Sequence, residues 1–529
     1  MLTRYPLGVM LWAFVFVNQG FSQDPSSSLE EKLQSFYENP RYFLNTLPEK
    51  TDAKGRVVHG SRPFPSEFTS DRQFFIKREE FRVRNLFPRD ANRVRTLPLR
   101  GERVHAPIEG SPEEFATYDK PEDLIEGGGS LVRNVFEMDR MALREQELPA
   151  RPWSDDYWPI YRGVLGARYA DTDFMSQNGW KGFFDFISAR PSTKIVENGT
   201  EEELQGLSPS EKYDLLLGGE KSPLTDQLWK EGKGYFERDG DVERWMGICH
   251  GWAPASYMEA RPLHKIEVSA ANGRSRISFY PADIRALISL VWAKTRTPVR
   301  FIGGRCSTKD VKTDDVGRII ENDCFDMNPG SWHMAVVNQV GIKKRSFILD
   351  ATFDYEVWNQ PVFSYSYRYF NPQTLKETSS LDEAVIGMDT FARDEFKKYR
   401  ARDAKKIVGV NMRISYGVEN RPRQYAEANP EREDRSHTVS YVYDLELDKD
   451  GKILGGEWYN NAHPDFLWTP TSNAKPMAMG DYHLLGADLW DGQQPLEERW
   501  RKLASQSAIY GQPLNKIVQS LLKLSTRTQ

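Results

Sequence analysis

The sequence predicts an α+β fold in which a helix carrying a cysteine packs on an antiparallel sheet carrying a histidine and an aspartate. An N-terminal arm precedes this core, and helices follow it. Two hairpin patterns predict the sheet. In residues 333–354 two apolar runs flank a turn at Gly341–Lys344, and in residues 438–459 Asp450-Gly451 supplies the turn. Apolar residues at helical spacing within residues 277–295 predict a buried helix.

Local signals predict the remaining elements in chain order. A helical patch lies within Leu29–Leu47. Ser208, with Glu211 three residues later, is a capping box that begins a short helix. Residues 406–418 have the pattern of a strand. The tail is predicted to be helical because its apolar residues share one face: Leu514, Ile517, Val518, Leu521 and Leu522.

Composition divides the 529-residue chain into four parts. Arg4, the apolar run Leu7–Val17 and the small residues Gly20 and Ser22 are typical of a signal peptide, with an uncleaved N-terminal anchor as the alternative. An Arg-, Pro- and Phe-rich stretch at 62–112 indicates an extended arm, either a pro-segment or a packed surface arm. The predicted parts are a signal peptide (1–22), an N-terminal arm or pro-region (23–150), a compact domain (151–490) and a C-terminal helical tail (491–529).

Charge and hydropathy exclude two classes of partner. The formal net charge of −5 is small for this length, and the aromatic residues among the arginines form no known nucleic-acid motif. After the N-terminus no segment has the ~18 consecutive apolar residues that a transmembrane helix needs. We therefore expect a secreted or periplasmic protein with no nucleic-acid partner and no membrane span; the oligomeric state is left open.

The chain has three cysteines, and their number bears on their roles. In an exported protein two of three are expected to pair, which leaves one odd thiol. Cys306 and Cys324 are nearest in sequence, so a disulfide between them is expected, worth ~3 kcal/mol by chain entropy. Cys249 is then the unpaired cysteine; three buried free thiols are the alternative.

A buried structural cysteine is the favoured interpretation of Cys249 taken alone, although its surroundings would suit a nucleophile. Gly247, Gly251 and Ala253 are small, which would let a substrate approach. A helix is expected to follow Cys249, although Pro254 falls in its first turns. A helix N-terminus beside a cysteine lowers the thiol pKa, because the helix dipole favours the anion.

His333 and Asp350 are the candidate partners of this thiol. The predicted hairpin would place them on paired strands, and burying either one alone is costly. Asp350 would then orient the imidazole of His333, which would accept the proton of Cys249. A structural His–Asp pair is the alternative. His250 is the rival base, but adjacent residues point in different directions.

The remaining candidates are oxyanion donors and metal ligands. The backbone N–H of Cys249 is the default donor, with the indoles of Trp245, Trp252 and Trp332 as alternatives. No cysteine or histidine pair has zinc spacing, and Asp448–Gly451 lacks the glutamate that would complete a calcium loop. The metal is therefore unknown, and calcium is a candidate in the loop between Cys306 and Cys324, which has acidic residues at Asp310, Asp314, Asp315, Asp323 and Asp326.

Three segments resemble the transglutaminase elicitor family of oomycetes and its bacterial relatives, within the wider papain-like superfamily. They are CHGWAPAS (249–256), NPGSWHMAVVNQVG (328–341) and ILDATFDYEVWNQPV (348–362). The resemblance implies a transglutaminase-like catalytic domain over 151–490 and a Cys249, His333, Asp350 triad. It also implies acyl transfer from a protein glutamine to a lysine amine, often with calcium. VWNQPV (357–362) matches the start of a surface peptide that plants recognise, but Phe363-Ser364-Tyr365 departs from its basic continuation.

The sequence thus predicts a secreted protein-glutamine γ-glutamyltransferase acting on glutamine- and lysine-bearing proteins or peptides. Two alternatives stay open: a cysteine peptidase or amidase on the same triad, and a non-catalytic surface-binding protein. Transfer and hydrolysis share a thioester and differ in whether an amine or water resolves it, which depends on how well the site excludes water.

Overall fold

The computed structural model describes residues 28–59, 119–127, 131–304, 312–320, 327–351 and 357–527. Three predictions lie outside these residues: the signal peptide, the arginine- and phenylalanine-rich arm, and the disulfide between Cys306 and Cys324. None of the helices in the described ranges is long and apolar enough to cross a membrane.

Seventeen α-helices occur in the described ranges, and capping chemistry explains several of their starts. Ser208 caps its helix through the predicted capping box with Glu211. Pro281 occupies the first turn of the long buried helix, as expected. The helices are α1 (Leu29–Glu38), α2 (Pro40–Leu44), α3 (Pro121–Leu124), α4 (Val135–Arg140), α5 (Thr172–Met175), α6 (Gly179–Ala189), α7 (Ser192–Asn198), α8 (Glu201–Gln205), α9 (Pro209–Leu217), α10 (Pro223–Asp239), α11 (Cys249–Met258), α12 (Pro281–Lys294), α13 (Pro329–Val336), α14 (Leu381–Ala384), α15 (Pro430–Glu433), α16 (Glu498–Ala508) and α17 (Asn515–Thr526).

Fourteen strands occur in the same ranges, and every pairing between them is antiparallel. The main sheet has the central order β2-β1-β12-β11-β8-β7-β14-β6, and β4 pairs with β5 separately. The strands are β1 (Lys50–Asp52), β2 (Val57–His59), β3 (Glu145–Glu147), β4 (Ile266–Ser269), β5 (Arg276–Phe279), β6 (Val299–Gly303), β7 (Ile348–Asp350), β8 (Asn359–Phe370), β9 (Glu377–Thr378), β10 (Ile386–Gly387), β11 (Lys406–Val418), β12 (Arg435–Leu447), β13 (Ile453–Gly455) and β14 (Phe466–Pro470).

The predicted mixed α and β architecture is confirmed, and two predicted strand regions fall where expected. β11 spans the residues predicted from its pattern. β12 and β13 form the second predicted hairpin, and Gly451 in its turn has a φ of 93°, a conformation that favours glycine. Alternate residues of β11 and β12 enter one buried core, as a period of two requires.

Helices and sheet form two separate hydrophobic cores. The helical core contains α10, α11 and α12, and the C-terminal helices α16 and α17 pack into the same core. The sheet core contains the inner faces of β8, β11 and β12. Near the N-terminus, α1 stacks Phe36 on Tyr459, and β1 extends the sheet beside β12.

The first predicted hairpin is wrong. Residues 329–336 form α13, and a π-helical stretch, Val337–Ile342, continues it. Asn328 caps α13 by accepting the Gly330 N–H at 2.8 Å, and Pro329 occupies the first turn. His333 therefore lies on a helix, whereas Asp350 is the last residue of strand β7, so the two are not on paired strands.

Candidate functional site

Cys249 is the first residue of α11. The chain before it is held against residues 157–160: Ile248 N–H donates to the Tyr157 carbonyl at 2.7 Å, and Ile160 N–H donates to the Met246 carbonyl at 2.9 Å. This short ladder sets the direction in which the chain enters the helix. It leaves the Cys249 thiol buried, with 5% of the residue exposed.

The small residues around Cys249 serve packing, which corrects the expectation that they admit substrate. A Cβ at Gly251 would overlap the carbonyl oxygen of Ser289 on α12. A Cβ at Gly247 would overlap the carbonyl oxygen of Tyr157. Ala253 is fully buried. The two glycines therefore allow α11 and the segment before it to approach neighbouring backbone closely.

The thiol contacts the beginning of β8. Asn359 Nδ2 donates to Cys249 Sγ at 3.5 Å, and the thiol donates to the Val357 carbonyl at 3.7 Å. Trp468 on β14 donates its indole N–H to Asn359 Oδ1 at 2.8 Å. Because an indole can only donate, it fixes the oxygen of the amide toward Trp468 and the NH₂ group toward sulfur.

The pKa of Cys249 is raised, contrary to the expectation from the helix N-terminus. Burial raises it to about 11, and hydrogen bonds from the side chain and backbone of Asn359 oppose that increase. At neutral pH this buried sulfur therefore carries its proton. Hydrogen bonds from Asn359 favour the thiolate once the proton leaves.

Two carboxylates lie near this sulfur. Asp350 pairs in register with Asn359 and accepts the Trp358 N–H at 3.1 Å. Glu419 accepts from Gln360 Nε2 at 2.8 Å. The negative charges of Glu419 and Asp350 both disfavour the thiolate of Cys249. Burial raises the pKa of Glu419 to about 7.

The structure does not bring His333 to this site. Its Nδ1 lies 2.8 Å from Tyr443 Oη, and its ring packs on Tyr367 at 4.8 Å between centroids. Tyr367 and Asn359 are eight positions apart on β8, so their Cα atoms are separated by ~26 Å of strand. Burial lowers the pKa of His333 to about 3, which keeps the ring neutral in the sheet core.

His250 is partly buried and lies among other polar groups. The charges of Lys294 and Glu231 act on it, and it hydrogen-bonds the backbone of Ala293. Burial lowers its pKa to about 4, and the Lys294 charge adds to that decrease. These surroundings agree with the expectation that His250, although adjacent to Cys249 in sequence, is not its base.

The predicted indole donors are engaged elsewhere. Trp252 donates to the Trp153 carbonyl at 3.0 Å, and Trp245 bonds the carboxylate of Glu243. Trp332 packs against Tyr441 and Trp458 in the sheet core. The backbone N–H of Cys249 lies in the first turn of α11, where N–H groups have no acceptor within the helix, so it stays a candidate oxyanion donor.

The described residues contain no cluster of three or more histidine, cysteine or acidic side chains arranged to hold a metal ion. Of the acidic residues proposed for calcium, Asp310, Asp323 and Asp326 lie outside the described ranges. Asp314 and Asp315 are described, and both pair with Lys398. Asp448 accepts the Asp450 N–H within a hairpin turn, the role that the sequence favoured there.

The segment VWNQPV (357–362) is largely buried in this chain. Trp358 is half-buried and its ring packs at a tilt against Tyr157, 5.2 Å between centroids, while Asn359 and Gln360 are nearly inaccessible. The start of β8 is enclosed because β7 and β11 flank it and α11 packs on it. In this chain, therefore, the residues that match the start of that surface peptide are buried and line the thiol.

Sequence reasoning missed three residues of the site: Asn359, Trp468 and Glu419. Their contacts join positions more than 50 residues apart, and Asn359 lies 110 positions from Cys249. The family segment VWNQPV was the available signal for Asn359 and Gln360. Trp468 ends a further stretch, 445–468, that resembles the family, and no local pattern marked Glu419.

Comparisons with known proteins place this site in a family. The family model described as transglutaminase elicitor matches residues 130–488, which include Cys249, Asp350, Asn359 and Glu419. The crystal structure of the GP42 transglutaminase from Phytophthora sojae is similar over 72% of this chain and 95% of that chain, with 21% identity and a TM-score of 0.46. No curated protein matches the chain.

Proposed function

We propose that this chain, which belongs to the transglutaminase elicitor family, is an exported protein-glutamine acyltransferase with Cys249 as its nucleophile. The supporting observation is the amide of Asn359, which donates to Cys249 Sγ while Trp468 fixes its orientation. A structural thiol needs no oriented donor, whereas a thiolate or a developing oxyanion is stabilised by one. The export expectation rests on the sequence of residues 1–22.

The proposed reaction has two steps through a thioester. The sulfur of Cys249 loses its proton and attacks the carboxamide carbon of a glutamine, the C–N bond breaks, and ammonia leaves with that proton. The amine of a lysine then attacks the thioester carbon and gives up a proton to the departing sulfur. An isopeptide bond forms and the Cys249 thiol is restored.

We propose Glu419 as the acceptor of the thiol proton. The sequence assigned this step to His333, which the structure places with Tyr443 and Tyr367. The charge of Glu419 acts on Cys249, and burial raises the pKa of Glu419 to about 7, a value suited to proton exchange at neutral pH. Gln360, the neighbour of Asn359, holds its carboxylate.

One assay tests the nucleophile and the base together. The mature protein is given a glutamine-donor protein and a fluorescent primary amine, with and without calcium. We expect Cys249→Ser to abolish amine incorporation and Glu419→Gln to lower kcat by ~10²-fold, as loss of a general base does. His333→Gln should keep activity within about threefold per folded molecule.

Two outcomes would contradict these assignments. Incorporation that persists in Cys249→Ser would exclude Cys249 as the nucleophile. A His333→Gln protein with an unchanged unfolding temperature and no activity, beside an active Glu419→Gln protein, would return the base to His333. Ammonia release without incorporation would identify water as the acceptor and favour a hydrolase.

A further inference from the structure

A cavity of about 260 Å³ rich in arginine is lined in part by Asn420, the residue after Glu419. Its lining includes five arginines and one glutamate, which leaves a net of four positive charges in a chain whose overall formal charge is −5. The five arginines are Arg285, Arg421, Arg423, Arg432 and Arg435. A concave surface of one sign focuses potential and attracts groups of the opposite sign.

The residues at the floor of this cavity are buried, and their polar groups are hydrogen-bonded to one another and to neighbouring backbone. Arg285 is 4% exposed and donates to Glu433 Oε2 at 2.8 Å. Ser154 is 1% exposed; its hydroxyl donates to the Val418 carbonyl at 2.7 Å and accepts the Arg435 N–H at 2.9 Å. These contacts hold the rim segments in place and leave the floor close to neutral.

The rim supplies most of the positive charge. Arg421, Arg423 and Arg435 are exposed and none of them forms an ion pair with any described residue, while the charge of Arg421 also acts on the buried Asp156. Arg432 stacks its guanidinium on Tyr425 at 3.4 Å, which fixes its direction. A fork of guanidinium donors is suited to carboxylates, which accept two hydrogen bonds in one plane.

Two short chain segments connect the cavity with the thiol. Asn420 lines the cavity and directly follows Glu419, whose charge acts on Cys249. Ser154 also lines it, and three residues later Tyr157 holds the segment that precedes Cys249. Three residues span at most ~10 Å of chain. The cavity is therefore lined by residues only a few positions from the segments that surround the thiol.

We propose that the arginine-lined cavity binds acidic side chains of the acyl-donor protein, near its reactive glutamine. This inference rests on the proposed function, because it assigns a substrate preference to the same site. Carboxylates on the donor would pair with Arg421, Arg423 and Arg435. The protein should then select glutamines that have glutamate or aspartate a few residues away.

Binding to an inactive protein tests the cavity separately from catalysis. In a Cys249→Ser background, fluorescence anisotropy would compare a labelled peptide bearing four glutamates beside one glutamine with the same peptide bearing four neutral glutamines. We expect at least tenfold tighter binding of the acidic peptide, weakening as salt is raised. Arg421→Gln/Arg423→Gln/Arg435→Gln should abolish this difference.

A matched control removes the same charge elsewhere. Arg140, Arg274 and Arg413 are exposed and likewise form no ion pair with described residues. The triple variant Arg140→Gln/Arg274→Gln/Arg413→Gln should keep the preference for the acidic peptide. In the active protein, the ratio of kcat/KM between acidic and neutral donors should fall roughly tenfold in the cavity variant and not in this control.

Three outcomes would overturn the proposal. Equal binding of acidic and neutral peptides would do so even if Cys249 proves to be the nucleophile. An equal loss in the control variant would show a general charge effect. Tighter binding of a heparin oligosaccharide of equal charge, lost in the cavity variant, would assign the cavity to a different polyanion. Conversely, the expected peptide preference would stand even if no acyl transfer were detected.

Discussion

The amide of Asn359 is the group that most directly favours the thiolate of Cys249. It donates to Sγ from its side chain, and its backbone also hydrogen-bonds the sulfur. Burial acts in the opposite direction and prevails, since the thiol pKa is about 11. A substrate that replaces buried protein contacts with its own dipoles would weaken the effect of burial, and the oriented amide of Asn359 would then favour the anion.

Replacing Asn359 should make the thiol less reactive. Asn359→Leu keeps the branched shape and removes the donor, so the Cys249 pKa should rise further and alkylation by iodoacetamide at pH 8 should slow by roughly tenfold. Mass spectrometry of the Cys249 peptide measures this rate separately from the other two cysteines. In the wild type the rate should increase about tenfold per pH unit from pH 7 to 10.

A matched change tests whether the effect is local. Asn371 is an asparagine outside the site that caps the turn after β8. Asn371→Leu should leave the alkylation rate of Cys249 unchanged. Faster alkylation in Asn359→Leu would show that the amide mainly shields the sulfur, and the proposed role would be wrong.

At the scale of elements, the site depends on how closely α11 approaches α12. Gly251 allows this approach, because a side chain there would overlap the Ser289 carbonyl. We expect Gly251→Ala to lower the free energy of unfolding by about 2 kcal/mol through overpacking, despite the better helix propensity of alanine. Urea unfolding measures the change, and amine incorporation per folded molecule should fall because Cys249 begins the displaced helix.

Gly234 provides the control for this substitution. It lies inside α10, and a Cβ there would meet nothing within 4 Å. Gly234→Ala should therefore stabilise the protein by about 0.5–1 kcal/mol. A Gly251→Ala protein as stable as Gly234→Ala would mean that the contact with α12 is not tight in solution.

Sequence reasoning predicted elements well where periodicity or capping was clear and failed where burial was complete. β11 alternates buried and accessible residues over much of its length, and α9 begins with a capping box, so both were predictable. α13 and its π-helical continuation are almost wholly buried, so no apolar face distinguished helix from strand. The one local signal for this helix was Asn328-Pro329, an N-cap residue followed by a proline in the first turn.

At the scale of the whole molecule, the candidate site lies where the two hydrophobic cores meet. Cys249 belongs to the helical core, while Leu349 and Val362, close in sequence to Asp350 and Asn359, belong to the sheet core. The thiol, its amide donor and its carboxylates are therefore brought together only when helices and sheet are docked. This long-range assembly explains why the sequence identified Cys249 and Asp350 as candidates but not their partners.

Buried histidines should make this docked structure sensitive to acid. Burial lowers the pKa of His333 to about 3 and that of His463 to about 4, whereas an unfolded histidine titrates near 6.5. Below pH ~6.5 these histidines bind protons in the unfolded chain but stay neutral in the folded chain. Their contribution to the free energy of unfolding is therefore fully present above this pH and is lost as the pH falls. Between pH 7 and pH 5 each histidine should contribute a loss of about 2 kcal/mol.

Single variants measure this contribution through the pH dependence of the urea midpoint. His333→Gln and His463→Gln should each lose less stability than the wild type between pH 7 and pH 5, whatever their stability at pH 7. His483 is exposed, so His483→Gln should follow the wild-type curve. Carboxyl groups with raised pKa, such as Glu419, act in the opposite sense but are common to all these proteins and cancel in the comparison. A wild-type slope in His333→Gln would mean that this imidazole takes up its proton in the folded state, and hence that water or a counter-charge reaches the sheet core.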